Sequence, residues 1–128
     1  AMWRRTVESG QPELLVAKDN GTVLGWVSFG ACRDKDAPSS QAEVWAIYVA
    51  PKSWFKGVGH QLWQRARYLL SQQGYGTCSL WVFPENQQAI RFYQSVGFVA
   101  DNLPPQQFEL GGRQLQEVRY VCRIDAKR

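Results

Sequence analysis

The sequence predicts an α/β domain built on one mixed, mostly antiparallel sheet. Three observations carry that reading. Apolar runs flank Asn20-Gly21 and Gly111-Gly112 as the arms of β-hairpins would. The apolar run at 43–50 is separated from the run at 77–83 by a segment of helical period. Strand, helix, strand in that order is the right-handed crossover that lays two strands parallel inside the sheet.

The elements follow in chain order. ELLVAK (13–18) and TVLGWVSFGA (22–31) form the first hairpin, and RDKDAPSSQ (33–41) is a polar loop. EVWAIYVA (43–50) is the third strand, which Pro51 ends because it lacks the N–H the ladder needs. From Gly59 to Gln73, Leu62, Trp63, Ala66, Leu69 and Leu70 share one face, with Gln61, Gln64, Arg65 and Arg67 opposite; Gly74 stops the helix. TCSLWVF (77–83) is a buried strand. Asn86 caps a second helix with Ala89, Ile90, Tyr93 and Val96 inward and Gly97 at its end. Residues 107–110 and 115–124 form the closing hairpin, so the order is β-β-β-α-β-α-β-β.

Composition narrows the function classes. At 128 residues the chain is one domain, long enough to bury a core without disulfides. The net charge of +4 favours anionic partners in general, but Lys and Arg are dispersed, which argues against a nucleic-acid surface. The three cysteines, Cys32, Cys78 and Cys122, lie apart in apolar runs and read as reduced core residues of a cytoplasmic protein. No apolar stretch has the length of a membrane span, so no membrane partner is expected. A single histidine inside a loop leaves no Ser-His-Asp or Cys-His arrangement, and no metal-ligand spacing is present.

WFKGVGH (54–60) holds a close glycine pair at the carboxyl end of a strand, immediately before a helix. Open α/β sheets bind ligands at that end, and a helix N-terminus offers unpaired N–H groups and a positive dipole end. The loop therefore reads as a phosphate site. It is no nucleotide P-loop, since GxxxxGK[ST] is absent. The dinucleotide fingerprint also fails, since position 62 is leucine and Phe83-Pro84 ends the following strand without an acid.

IYVAPKSWFKGVGHQLW (47–63) and LWVFPENQQAIRFYQSVGF (80–98) together resemble the GNAT superfamily of N-acetyltransferases, matching its strand–Pro–[QR]xxGxG–helix motif and its later strand–Asn–helix–FYxxxGF motif. The resemblance runs from about residue 13 to 123. It implies a GNAT-like sheet with helices on both faces and acetyl-CoA as co-substrate. It also implies direct transfer to an amine acceptor, whose identity the sequence leaves open. Two departures stand out. Trp54 occupies the [QR] position, where contacts are largely through the backbone. The family opens with a strand and two helices, so the first strand and helix are expected to be missing and residues 1–12 to be the remnant of an N-terminal helix. An uncovered edge on ELLVAK would then invite a homodimer.

Carried over residue by residue, the resemblance gives Trp54, Phe55, Lys56, Gly57, Val58, Gly59 and His60 to the pyrophosphate. It gives Ile47, Tyr48 and Val49 to the pantetheine arm, with a backbone N–H among them polarising the acetyl carbonyl. Lys56 reads equally as an exposed lysine, and His60 as a bystander. Asn86 is both a match to a pantetheine neighbour and a plain helix cap. Glu43 opens the strand where some members place the general base, and reads equally as a solvated glutamate. An amine with a pKa near ~10 is protonated at neutral pH, so some group or water must take its proton. Tyr93 matches the tyrosine that donates to the departing thiolate, against a core tyrosine. Two other functions stay open: a coenzyme A-binding module without transfer activity, and, more remotely, a basic nucleic-acid-binding domain.

Overall fold

The computed structural model describes residues 2–6 and 12–124. They form β1 (Met2–Thr6), β2 (Glu13–Asp19), β3 (Thr22–Ala31), β4 (Gln41–Val49), a 3-10 turn (Pro51–Ser53), α1 (Val58–Gln72), β5 (Thr77–Val82), α2 (Gln87–Ser95), β6 (Val99–Ala100), β7 (Gln106–Leu110) and β8 (Arg113–Arg123). The spatial order is β1-β2-β3-β4-β5-β8-β6, with β7 paired to β8. Every pairing is antiparallel except that of β4 with β5, the two strands joined through α1. The mixed, mostly antiparallel sheet and its parallel crossover are thus as expected.

One face of the sheet makes the core. Alternate residues of a strand point to one side, so Leu15 and Ala17 on β2, Val27 and Phe29 on β3, and Cys78, Leu80 and Val82 on β5 share a buried surface. α1 covers it with Val58, Leu62, Trp63, Ala66 and Leu70. Full burial of side chains such as Leu62 and Leu70 contributes roughly 1.5–3 kcal/mol each. α2 adds Ile90 and Tyr93 to the same core, with Phe98 packed between Trp63 and Tyr93 at ring separations of 4.9 and 5.8 Å. Both described helices lie on this face, so the expectation of helices on both faces is met on one of them among the described residues.

The N-terminal segment departs from expectation. Met2–Thr6 is a strand, paired antiparallel with β2 from Met2↔Lys18 to Thr6↔Leu14, and not the end of a helix. The reason is the open edge of β2, whose outward N–H and C=O groups are satisfied by a further backbone segment more fully than by water. The rest of the expected helical remnant, 7–11, lies outside the described residues. The edge of β2, where the sequence reading places self-association, is covered by β1. No helix among the described residues is long and apolar enough to cross a membrane.

Candidate active site

β4 and β5 are paired over three residues only, Gln41↔Thr77, Ala42↔Cys78 and Glu43↔Ser79. β4 continues to Val49 and β5 to Val82 without further pairing, so the sheet opens into a fork whose base is Glu43. The register of β4 against β3 shifts between Ser28 and Phe29, which leaves Trp45 as an extra residue and bends β4 where the fork begins.

The groups that face the fork follow from the alternation of the strand. Ala50 N–H donates to Leu24 O at 2.8 Å, and the Tyr48 carbonyl oxygen lies 2.6 Å from where a Cβ of Gly25 would stand, so both residues direct backbone groups toward β3. Ile47 and Val49 therefore turn theirs to the fork. One of those groups is engaged: the Trp54 indole N–H donates to Val49 O at 2.7 Å.

Trp54–His60 leads from the end of this strand into α1. Gly57 is the residue before the helix, with φ +84° and no side-chain hydrogen bond capping the N-terminus. The amides of Val58, Gly59 and His60 have no backbone acceptor within the described residues. The two glycines serve different ends. Gly57 takes a left-handed conformation that an L side chain rarely adopts, whereas a Cβ on Gly59 would lie 3.0 Å from Phe92 Cε1. Gly59 is thus a contact between helices, and its missing side chain faces α2, not the loop. Phe55 is 95% exposed with φ +65°, and Lys56 is exposed too. His60 sits edge-on to Phe92, its Nε2 3.4 Å from Ser95 Oγ, and so ties the two helices together.

Tyr93 follows on α2, its ring between Phe92 and Phe98. Burial pushes its hydroxyl up to about 12, so it remains a neutral donor at any ordinary pH. Asn86 caps α2, its Oδ1 accepting from Ala89 N at 3.2 Å. The cap reading of Asn86 is seen directly.

Glu43 is buried, with only 2% of its surface exposed, and the polar-loop residue Arg33 holds it. Arg33 donates from its backbone N and Nε to Oε1, at 2.9 and 3.2 Å, and from Nη2 to Oε2 at 2.9 Å. The same guanidinium lies over the Trp45 ring at 4.2 Å. Glu43 is not a solvated glutamate: most of its acceptor capacity is already taken by a bidentate ion pair.

Around Glu43, on the face of the sheet opposite the helices, lies a cavity of about 650 Å³. Its walls are Arg33, Asp34 and Lys35, then Val44 and Trp45 of β4, Trp81 of β5, Gln106 and Phe108 of β7, and Glu117 of β8. Asp34 accepts from Trp81 Nε1 and from Arg119 Nη1, both at 2.9 Å. Cys32, Asp34 and Glu43 bring ligand atoms within 4.8 Å of one another, but both carboxylates are committed to arginines. The sequence reading missed Arg33, Trp81, Phe108 and Glu117. A signal existed for the last: in RQLQEVRYVCR (113–123) Glu117 and Arg119 alternate with Val118 and Tyr120, a polar stripe opposite an apolar one on the same strand.

Comparison with known proteins bears on this site. The family model described as "Acetyltransferase (GNAT) family" matches residues 2–98. The uncharacterized N-acetyltransferase YuaI of Bacillus subtilis is 31% identical over 106 residues, 82% of this chain and 59% of that protein. The L-amino acid N-acyltransferase MnaT of Escherichia coli is 33% identical over 119 residues, 93% of this chain and 68% of that protein. Among solved structures, yncA from Salmonella typhimurium, with its cofactor acetyl-CoA, superposes with a TM-score of 0.75 at 28% identity, covering 91% of this chain and 66% of that one. The chain spans from about three fifths to two thirds of the length of these proteins.

Proposed function

The chain belongs to the acetyltransferase (GNAT) family, and from that premise we propose that it transfers acetyl from acetyl-CoA directly to a primary amine, without an acyl-enzyme. The observation that carries the reading is the fork between β4 and β5, whose open edge runs straight into an uncapped helix N-terminus.

The residues present fit coenzyme A. A pyrophosphate needs clustered amide donors with no competing cap, which Val58, Gly59 and His60 offer at the positive end of the α1 dipole. A pantetheine arm carries amides and needs an open strand edge, which Ile47 and Val49 offer. When bound, the thioester supplies an activated acetyl group. The chain's own residues do the rest. A backbone N–H of Ile47 or Val49 polarises the acetyl carbonyl, since that of Tyr48 is turned to β3, and Tyr93 donates a hydrogen bond to the departing sulfur.

The acceptor belongs in the cavity beside Glu43, which adjoins the fork through Val44 and Trp45. We place it among small amines of the amino-acid class. The cavity sets Arg33 and Lys35 against Glu117 and surrounds them with Trp45, Trp81 and Phe108, so it meets both charges of a zwitterion and an apolar side chain. The name of MnaT, an L-amino acid acyltransferase, points the same way. The test is coenzyme A release from acetyl-CoA in the presence of single L-amino acids, their methyl esters, and lysine peptides. Turnover of amino acids above their esters is expected. Turnover of peptides alone would overturn the acceptor class, and no turnover with any amine would overturn acetyl transfer.

A further inference from the structure

The carboxylates around the acceptor cavity differ in what already holds them. Glu43 accepts three hydrogen bonds from Arg33. Asp34 is shared between Trp81 and Arg119. Glu117 lines the same cavity, half-buried, and among the described residues no hydrogen bond or ion pair engages its side chain.

The sheet places Glu117 where an acceptor amine would need it. Glu117 is two residues from Arg119, which pairs with Trp81; Trp81 is two residues from Ser79, which pairs with Glu43. Side chains two apart on a strand share a face, so Glu43, Trp81 and Glu117 look onto the same space from β4, β5 and β8. We infer that Glu117 is the carboxylate that receives the acceptor's ammonium group and takes its proton, a role the sequence reading gave to Glu43. This rests on the acetyl-transfer reading above.

The step balances as follows. One proton passes from R–NH3⁺ to the Glu117 carboxylate, which becomes a carboxylic acid, and the freed lone pair attacks the acetyl carbonyl carbon. When the C–S bond breaks, the second ammonium proton goes to sulfur, and Glu117 returns its proton to the water that reaches the cavity. Burial pushes the Glu117 carboxyl up, the charge of Arg33 opposes this and that of Glu43 adds to it, which makes Glu117 a better match to an amine than an ordinary glutamate. The charged groups facing it are Arg33, Asp34 and Lys35 from the loop and Glu43 from β4, with Arg119 beside it on β8.

Glu117→Gln and Glu117→Asp are compared with the wild-type chain for kcat and KM against pH, using an amino acid the wild type acetylates, alongside coenzyme A affinity by calorimetry. Glu117→Gln is expected to lose about 10²-fold or more in kcat at pH 7. Its rate should then climb about tenfold per pH unit toward the amine's own pKa, near ~10 for an alkylamine such as lysine. Glu117→Asp should keep the wild-type shape at lower rate, and coenzyme A affinity should change less than about twofold in either variant. Wild-type kinetics in Glu117→Gln, or an equal loss at every pH, would overturn the inference and leave acetyl transfer standing. A wild-type chain that acetylates no amine overturns both.

Discussion

Gly59 and Phe92 meet so closely that a side chain between them would press the ring aside: a Cβ on Gly59 would sit 3.0 Å from Phe92 Cε1 and 3.2 Å from Cζ. This contact holds the first turn of α1 against α2. Gly59→Ala should therefore destabilise the fold by roughly 1–2 kcal/mol through overpacking, net of a helix-propensity gain of up to ~1. With Phe92 cut back to alanine the sign should reverse. Gly57→Ala, by contrast, should cost about 1–2 kcal/mol in both backgrounds, because its strain is its own φ. Urea denaturation of the mutant cycle reads both.

Trp54 stands on the Val49 carbonyl that faces the fork. If pantetheine uses that carbonyl, the indole competes for it. Trp54→Phe keeps a ring there and removes the donor, and should tighten coenzyme A binding by up to about fivefold, the worth of one net hydrogen bond of ~1 kcal/mol. Titration calorimetry checks this, and equal affinity would show that the carbonyl is not used.

Tyr93 cannot give up its proton cheaply. With its hydroxyl at about 12 and a thiol near ~8.5, full transfer to sulfur is uphill by about 3.5 pH units, or roughly 5 kcal/mol. Donation of a hydrogen bond avoids that cost. Tyr93→Phe should lower kcat by about 10²-fold or less and leave coenzyme A affinity nearly intact. Steady-state kinetics with calorimetry test the split.

The same hydroxyl makes a prediction for alkaline stability. An unfolded tyrosine titrates near ~10, so below that pH both states are protonated and the folded state keeps its full advantage. Between pH ~10 and about 12 the unfolded chain ionises first, and the wild type should lose up to roughly 3 kcal/mol relative to Tyr93→Phe. Paired denaturation curves at pH 9 and 11.5 measure the difference.

Glu43→Gln removes one charge of a pair whose other member is half-exposed. The expected loss is about 1.5–3 kcal/mol of stability, together with a higher KM for the acceptor as Arg33 is released. The pH optimum should stay where it is. An upward shift in the rate profile would return the base role to Glu43.

How much of this was legible in the sequence follows from distance along the chain. The crossover from β4 through α1 to β5 was readable because a change of hydrophobic period from two to 3.6 is local, as is Asn86 capping Ala89. The strand at Met2–Thr6 was not, since five residues acquire strand character only from the β2 edge beside them. The cavity beside Glu43 was also hidden. Arg33 meets Glu43 across a loop, and Glu117 joins them only once β8 is paired with β5. The glycine pair was seen, but one of its two reasons was not, because Phe92 lies a whole crossover away from Gly59.

The three pairings that join β4 to β5 have a mechanical consequence. Among the described residues they are the only ladder joining the leaf made of β1 to β4 to the leaf made of β5 to β8. So short a seam leaves few ladder hydrogen bonds to break there, and amide exchange at its open end should be faster than inside either leaf. Any molecule that bridges the gap there acts as a clasp, and should slow that exchange far from its own contacts by holding both leaves at once.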